Sequence, residues 1–418
     1  MTTTDPAAIE VRPLETGAEI DAFFSMAGAT FPDYHRMHCT PTPDGSLANG
    51  WRRFNEEAPS FEPDHLRGAF VNGTLAGGYI HDERWLRLGD AHLRTGYVGG
   101  VVTDPAQRGV GIASALMRDG IAHASARCQT LLVLRGIAGF YVRFGYADVM
   151  EVTEHMVERQ RVLALPAPNV RVRPSSIHDS AALLELYERH YYPFVGCYTR
   201  TPEQQQHLLR HRSRLPHLAV EQDDRPCGYL LLPCGSDPSL AVEVAAESWP
   251  AALALLQFHA DAAASASELR WPLPFGSPTY YYLADSLPLT SRTTSRPNAG
   301  WLARAANVST LFACLLPVLQ ERCRHARTNW DGPLIFDVEG TRWRVELSSS
   351  GLRSVDESRD DAPVVRLSPG GLAQLVFGYR PATWVAKRAE QPVPGEMVAT
   401  LATLFPTTTA WYAGSNRC

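Results

Sequence analysis

Arg108, Gly109, Val110, Gly111, Ile112 and Ala113 stand between a β-branched run at 98–103 and a helix-forming stretch at 113–124. No other feature of the sequence restricts the fold as strongly. Two glycines one residue apart permit a backbone turn that other residues resist, and they leave consecutive N–H groups uncovered. A helix leading away from such a turn directs the positive end of its dipole at the same point. Strand, glycine turn and helix N-terminus in that order predict an anion cradle built from main-chain amides, with no need of a lysine. Two other phosphate-binding turns are excluded. The dinucleotide turn requires a third glycine and an acidic residue closing the next strand, and here the strand at 130–134 is followed by Arg135. The P-loop requires Gly-Lys-Ser/Thr, and Lys387 is the only lysine of the chain.

An isolated glycine turn is often a plain connection. A second element, at the right distance, separates the two readings. Phe140, Tyr141, Val142, Arg143, Phe144, Gly145 and Tyr146 occupy the place where a short helix leads into a further strand. Together with residues 104–113 they resemble the GNAT superfamily of N-acyltransferases, whose Arg-x-x-Gly-x-Gly/Ala pattern is matched at Arg108, Gly111 and Ala113. The resemblance implies a coenzyme A thioester as co-substrate. Its pyrophosphate would lie on Arg108, Gly109, Val110, Gly111, Ile112, Ala113 and Ser114, and its pantetheine arm along the backbone of Val101, Val102 and Thr103, added like a strand. Gly136 and Ile137 also fall where the family meets the coenzyme. Serine and glutamate are commoner at those two places, so one side-chain contact is missing here.

A chain of 418 residues exceeds one ordinary core, and two or three domains are expected. Apolar residues make up 45% and charged residues 20%, as in soluble globular proteins, and the net charge of −5 gives no reason to expect nucleic-acid or membrane affinity. No apolar run reaches membrane-spanning length. Residues 1–6 carry neither a basic nor an apolar signal run, and the eight cysteines are scattered without CxxC pairs. The expected location is the reducing cytoplasm. His35, His38 and Cys39 lack a second ligand pair and read as a polar loop, so no metal is expected.

The chain also echoes itself. Val11-Arg12-Pro13 opens a strand before a helical pattern at 19–26, and Val172-Arg173-Pro174 does so before 179–191, where Asp179 is placed to cap. The hairpin at 69–79, with Asn72-Gly73 at its tip, has a counterpart at 219–229. The second copy produces no Arg-Gly-x-Gly turn, which suggests the fold without the donor site. Residues 291–300 read as a linker. An apolar helix at 308–319, strands at 334–338 and 341–347 joined by Glu339-Gly340, a strand at 364–367 and a helix at 371–377 then describe a small α+β layer.

Two GNAT-like domains and a small α+β domain, in that order, resemble the enhanced intracellular survival (Eis) family of bacterial amine N-acetyltransferases. The closest likeness lies in Tyr141, Val142, Arg143, Phe144, Gly145 and Tyr146, set against the family's Tyr-Gly-Arg-Phe-Gly-Tyr. The fold class implied is α+β: a catalytic GNAT domain at 1–160, a degenerate GNAT-like domain at 161–290, and a sterol-carrier-protein-like domain at 291–418. Residues 301–308 and the hairpin at 336–347 are assigned to that last domain. The family also implies a homo-oligomer, a hexamer, acting on a small-molecule amine.

Acyl transfer to an amine requires that the thioester be held, that the amine lose a proton and that the departing sulfur gain one. By the resemblance Tyr141 is the general acid, since a phenol with a reference pKa near 10 is protonated at neutral pH. The strand at 97–102 holds no carboxylate to serve as base. In the family the terminal α-carboxylate serves, which here would be that of Cys418. The acceptor loop is expected within 31–55, with Phe31, Tyr34, His38, Trp51 and Phe54 as aromatic walls and Asp33 and Glu56 as attractants for a cationic amine. The activity implied is acetyl-CoA-dependent acetylation of a primary amine. Two other readings stand beside it: a biosynthetic acyltransferase using a longer acyl-CoA or an acyl-tRNA, and a non-catalytic binding protein of the same fold.

Overall fold

The computed structural model describes residues 8–32, 46–211, 214–233, 237–326, 330–348, 351–355, 362–389 and 391–414. Its first unit begins with β1 (Ile9–Pro13), α1 (Gly17–Thr30), α2 (Leu47–Glu56), β2 (Leu66–Val71), β3 (Thr74–Leu88) and β4 (Ala91–Thr103). α3 (Ile112–Ala126), β5 (Leu131–Arg135) and β6 (Ala147–Met150) follow. β1 to β4 run antiparallel, each beside the next, because tight turns join β2 to β3 and β3 to β4. At the first of these turns Asn72 and Gly73 both take positive φ (51° and 77°), the conformation that a two-residue hairpin requires.

β4 and β5 are parallel, and their pairing is short. It runs from Thr95 opposite Leu131 to Tyr97 opposite Val133 and then stops. Residues 98–103 are not paired with β5, so among the described residues one edge of β4 has no neighbouring strand there. The far edge of β5 is closed by a strand from much later in the chain. Trp301–Ala305 lies between β5 and β6, antiparallel to both, with Leu302 opposite Leu134 and Asp148. All five of its residues are buried. Its two faces serve different cores, as the alternation of a strand dictates. Leu302 packs with Leu134, Tyr141 and Tyr146, whereas Trp301, Ala303 and Ala305 join the core of the last unit. Residues 301–305, expected in the C-terminal domain, thus complete the first sheet. Their near-continuous apolar run is the mark of a strand buried on both faces.

The central unit repeats the opening theme. Arg171–Pro174, His217–Val220, Pro226–Leu231 and Glu243–Ala246 form an antiparallel four-stranded sheet against helices Ser180–Tyr191 and Trp249–Ala262. The echo extends to side chains. Arg12 bridges to Glu19, which closes a capping box with Thr16, and Arg173 bridges to Asp179, which closes one with Ser176. Each arginine also donates to the carbonyl of the proline that follows it. Residues 290–294, at the edge of the expected linker, form a strand (Thr290–Thr294) beside Val152–Glu158, which pairs on its other side with Glu268–Pro272. Thr293 and Ser291 anchor it by hydrogen bonds to Thr153 (2.9 Å) and His155 (2.8 Å). A polar composition hid this strand, since its five residues are exposed.

The last unit has the helix Val308–His325, a sheet of Gly332–Val338, Thr341–Ser348, Gly351–Ser354 and Val364–Leu367, and helices Pro369–Val376, Ala382–Ala386 and Gly395–Leu404. Glu339 and Gly340 make its hairpin turn with positive φ, as their sequence predicts.

Replacing Leu302 by alanine is expected to lower the unfolding free energy by about 2–5 kcal/mol, the range for emptying a sealed core position. Denaturant unfolding measures it, and a loss under about 1 kcal/mol would contradict the packing described.

Candidate active site

Where β4 leaves β5 the sheet opens into a cleft of about 460 Å³. Its walls are residues 98–101 of β4, Arg135 and Gly136 at the end of β5, Ile80 and Asp82 of β3, Thr30 and Phe31 at the end of α1, Trp51 and Asn55 of α2, and Tyr97, Ile137 and Tyr141. Of the expected acceptor residues, Phe31 and Trp51 line this cleft. Phe54 lines a smaller adjoining chamber of about 70 Å³, and Glu56 is paired with Arg52 at 3.0 Å. Asp33, Tyr34, His35, His38, Cys39 and Cys418 lie outside the described residues.

Of the expected donor residues, Val101, Gly136 and Ile137 line this cleft. Val101, Val102 and Thr103 end β4, and among the described residues Val102 and Thr103 pair on one side only, with Gly78 and Gly77 of β3. A 3₁₀ turn at Pro105–Gln107, capped by Asp104 through the amide of Ala106 (2.9 Å), carries the chain round to Arg108. Arg108, Gly109, Val110 and Gly111 are exposed. Gly111 is the N-cap of α3 at φ +100°, a conformation that L side chains rarely adopt, and it offers no side-chain cap. The first-turn amides of Ile112, Ala113 and Ser114 have no intrahelical acceptor by the geometry of a helix end. Ile112 is buried and Ala113 and Ser114 are half-buried, so the exposed glycine turn runs directly into the positive end of a 15-residue helix.

Gly136 explains a departure from the family pattern. Its amide bonds to the carbonyl of Gly300 at 2.9 Å, which draws the inserted strand tight against it. A Cβ at this position would overlap Leu302 and lie 2.8 Å from the Tyr141 ring. The space a serine side chain would use is filled from the other end of the chain.

Tyr141 opens the 3₁₀ turn Tyr141–Phe144, which Gly145 ends at positive φ. It is 8% exposed, edge-on to Phe140 and Tyr146. Burial, with Tyr97 nearby, pushes its phenol up to about 12. Among the described residues its hydroxyl has no hydrogen-bond partner and is not sealed from solvent, in contrast to that of Tyr146.

One carboxylate lining the cleft escaped sequence reasoning. Asp82 stands on β3 in the run His81, Asp82, Glu83, Arg84. Its Oδ2 accepts from Nε of Arg84. Arg84 is held by the Tyr412 hydroxyl (3.1 Å) and by the rings of Tyr97 (5.2 Å) and Tyr198 (5.0 Å). Burial opposes its charge, but Asp82 and the tyrosines outweigh that and raise its pKa. Four charged or polar residues within a strand between Ile80 and Trp85 were the available signal. On the neighbouring face Glu83 is taken by Arg94 (2.7 Å) and Gln129 (3.1 Å).

Glu62, Asp64 and His65 lie close enough to hold a metal ion. Arg127 already reaches both carboxylates, at 2.9 and 3.2 Å, and its guanidinium supplies the positive charge a cation would bring. Among the described residues no helix is long and apolar enough to cross a membrane.

Residues 10–149 match the family model described as an acetyltransferase (GNAT) domain. Solved structures resemble the chain along nearly its whole length. A GCN5-related N-acetyltransferase from Kribbella flavida is 17% identical with a TM-score of 0.72, covering 98% of each chain. One from Anabaena variabilis is 14% identical with a TM-score of 0.71, covering 97% of this chain and 99% of its own. Eis1 from Mycobacterium abscessus is 20% identical with a TM-score of 0.63, again covering 97% and 99%. No curated protein matches the sequence.

Exchanging Gly136 for serine is expected to lower stability by about 1–3 kcal/mol through overpacking. Combined with Leu302→Ala the two losses should fall short of their sum by at least about 0.5 kcal/mol, because the smaller residue frees the space that the serine needs. Additive losses in a double-mutant unfolding cycle would disprove that contact.

Proposed function

We propose that this acyltransferase, built on a GNAT acetyltransferase domain over residues 10–149, moves the acetyl group of acetyl-CoA to a primary amine of a small molecule. The observation that carries the reading is that one cleft is lined both by residues 98–101 of β4, where that strand has left β5, and by Tyr141, with the glycine turn and the N-terminus of α3 following directly on the same strand.

The donor's diphosphate lies on the amides of residues 108–114, where Gly109 and Gly111 keep side chains clear. Its pantetheine amides pair with the backbone of Val101, Val102 and Thr103 along the free edge of β4, which fixes the thioester at the point where the strands part. Gly136 and Ile137 face the pantetheine from just beyond the end of β5. The amine nitrogen attacks the thioester carbonyl, a C–N bond forms and the C–S bond breaks. The nitrogen loses a proton, and the sulfur leaves as a thiolate that is protonated to free coenzyme A. Tyr141 supplies the hydrogen to sulfur. With its pKa raised to about 12 it is fully protonated across the neutral range, so it is always a donor. The terminal carboxylate of Cys418 is the proposed proton acceptor for the amine.

A short acyl group suits the cleft. The room that a glycine at 136 would otherwise release to a longer chain is filled by Leu302 and the Tyr141 ring.

Tyr141→Phe is expected to reduce kcat by about ten- to thousandfold with acetyl-CoA affinity retained, read by coenzyme release and by mass spectrometry of the acetylated amine. Unchanged turnover would remove Tyr141 from the chemistry. The raised pKa also sets the sign of the pH response. Loss of the acid form begins only as pH approaches about 12, so wild-type kcat at saturating substrate should show no alkaline fall up to pH 10. An alkaline limb with an apparent pKa below 10 would contradict the assignment.

A further inference from the structure

We infer that Asp82 is the residue that receives the acceptor's ammonium group, and that the substrate is a cationic amine whose body extends from the acyl cleft into the chamber beside it. The inference rests on the acyl-transfer reading above and adds to it a binding residue and a charge requirement.

Four observations lead there. Asp82 lines the cleft that also holds Tyr141, and among the described residues it is the only carboxylate to do so. It lines the smaller chamber too, together with Phe54, Tyr198 and His207, and so stands where the two spaces meet. The cleft's remaining lining is largely apolar and aromatic, with Phe31, Trp51 and Tyr97 among it. An ion there has few other groups to satisfy it, and a carboxylate is the group that compensates a buried ammonium.

The fourth observation concerns how the carboxylate is held. Arg84 takes one oxygen, Oδ2; among the described residues Oδ1 has no hydrogen-bond partner, and Asp82 keeps 23% of its side chain exposed. Arg84 cannot turn aside, because Tyr412, Tyr97 and Tyr198 hold it from the C-terminal, first and central units. Asp82 therefore presents a fixed oxygen at the junction. A primary ammonium, with three donors, can bond Oδ1 while its carbon skeleton lies against the aromatic walls. The nearby carboxylates are otherwise engaged: Glu83 with Arg94, and Glu56 with Arg52.

The test compares two probes that differ only in charge, 2-phenylethylamine and 2-phenylethanol, bound to the full chain with coenzyme A present. Dissociation constants come from calorimetry or from the fluorescence of Trp51 and its neighbours. The wild-type chain should bind the amine at least about tenfold more tightly, the usual strength of a hydrogen bond to a charged group. Asp82→Asn should bring the ratio to about one, and Asp82→Glu should keep most of it. Equal binding of the two probes by the wild type, or a preserved preference in Asp82→Asn, would leave Asp82 as a purely structural partner of Arg84 and overturn the inference. Where Asp82→Asn also loses acetyl-CoA binding, the wild-type and Asp82→Glu ratios decide, and both must exceed about ten. Absence of any acetylated amine, with the preference intact, would count against acyl transfer and not against Asp82.

Discussion

The strand Trp301–Ala305, threaded between β5 and β6, is the constraint on which the rest of the site depends. It comes from beyond the central unit, so the first sheet is complete only when the chain has returned to it. One face delivers Leu302 to the wall behind Gly136 and Tyr141. The other delivers Trp301, whose indole lies 4.0 Å from the Tyr412 ring centroid. Tyr412 in turn bonds Arg84, and Arg84 orients Asp82. A single buried strand thus sets the backs of both candidate reactive groups, one through packing and the other through a charged hydrogen bond.

The opening itself follows from a mismatch in pairing. β4 is a 13-residue strand and meets β5 over only three residue pairs. An unpaired edge in the interior of a sheet carries unsatisfied amides and carbonyls, which is costly unless something else pairs with them. A ligand with peptide-like amides satisfies that edge as a strand would. The helix that follows contributes its free N-terminal amides at the end of the same edge. Fold and proposed donor site are here two descriptions of one arrangement of backbone hydrogen bonds.

Much of this was legible in the residues, and the legible parts share a cause. The glycine turn, the Asn72-Gly73 and Glu339-Gly340 hairpins and the repeated Val-Arg-Pro openings are all local. Each is fixed by backbone conformations or hydrogen bonds within about ten residues. The repeat proved deeper than its motif, with both arginines reaching a capping-box acid. What escaped was non-local. The strand Thr290–Thr294 is polar and exposed, and only its partner Val152–Glu158 makes it a strand. The run at 301–305 is apolar enough for any core, and nothing in it says which one.

The sequence by itself determined where the backbone turns, which glycines open the helix after β4, and that a phenol stands near them in the chain. These depend on steric rules that act over a few residues. Only the tertiary structure decided which carboxylate enters the cleft and why position 136 is a glycine. Asp82 is one of four consecutive polar residues, and its role depends on the side of β3 that meets the open edge of β4. Gly136 is small because Leu302, more than 160 residues later, occupies its side-chain space. Contacts between distant segments are set by how buried faces pack together, and a linear pattern of residue types does not contain that information.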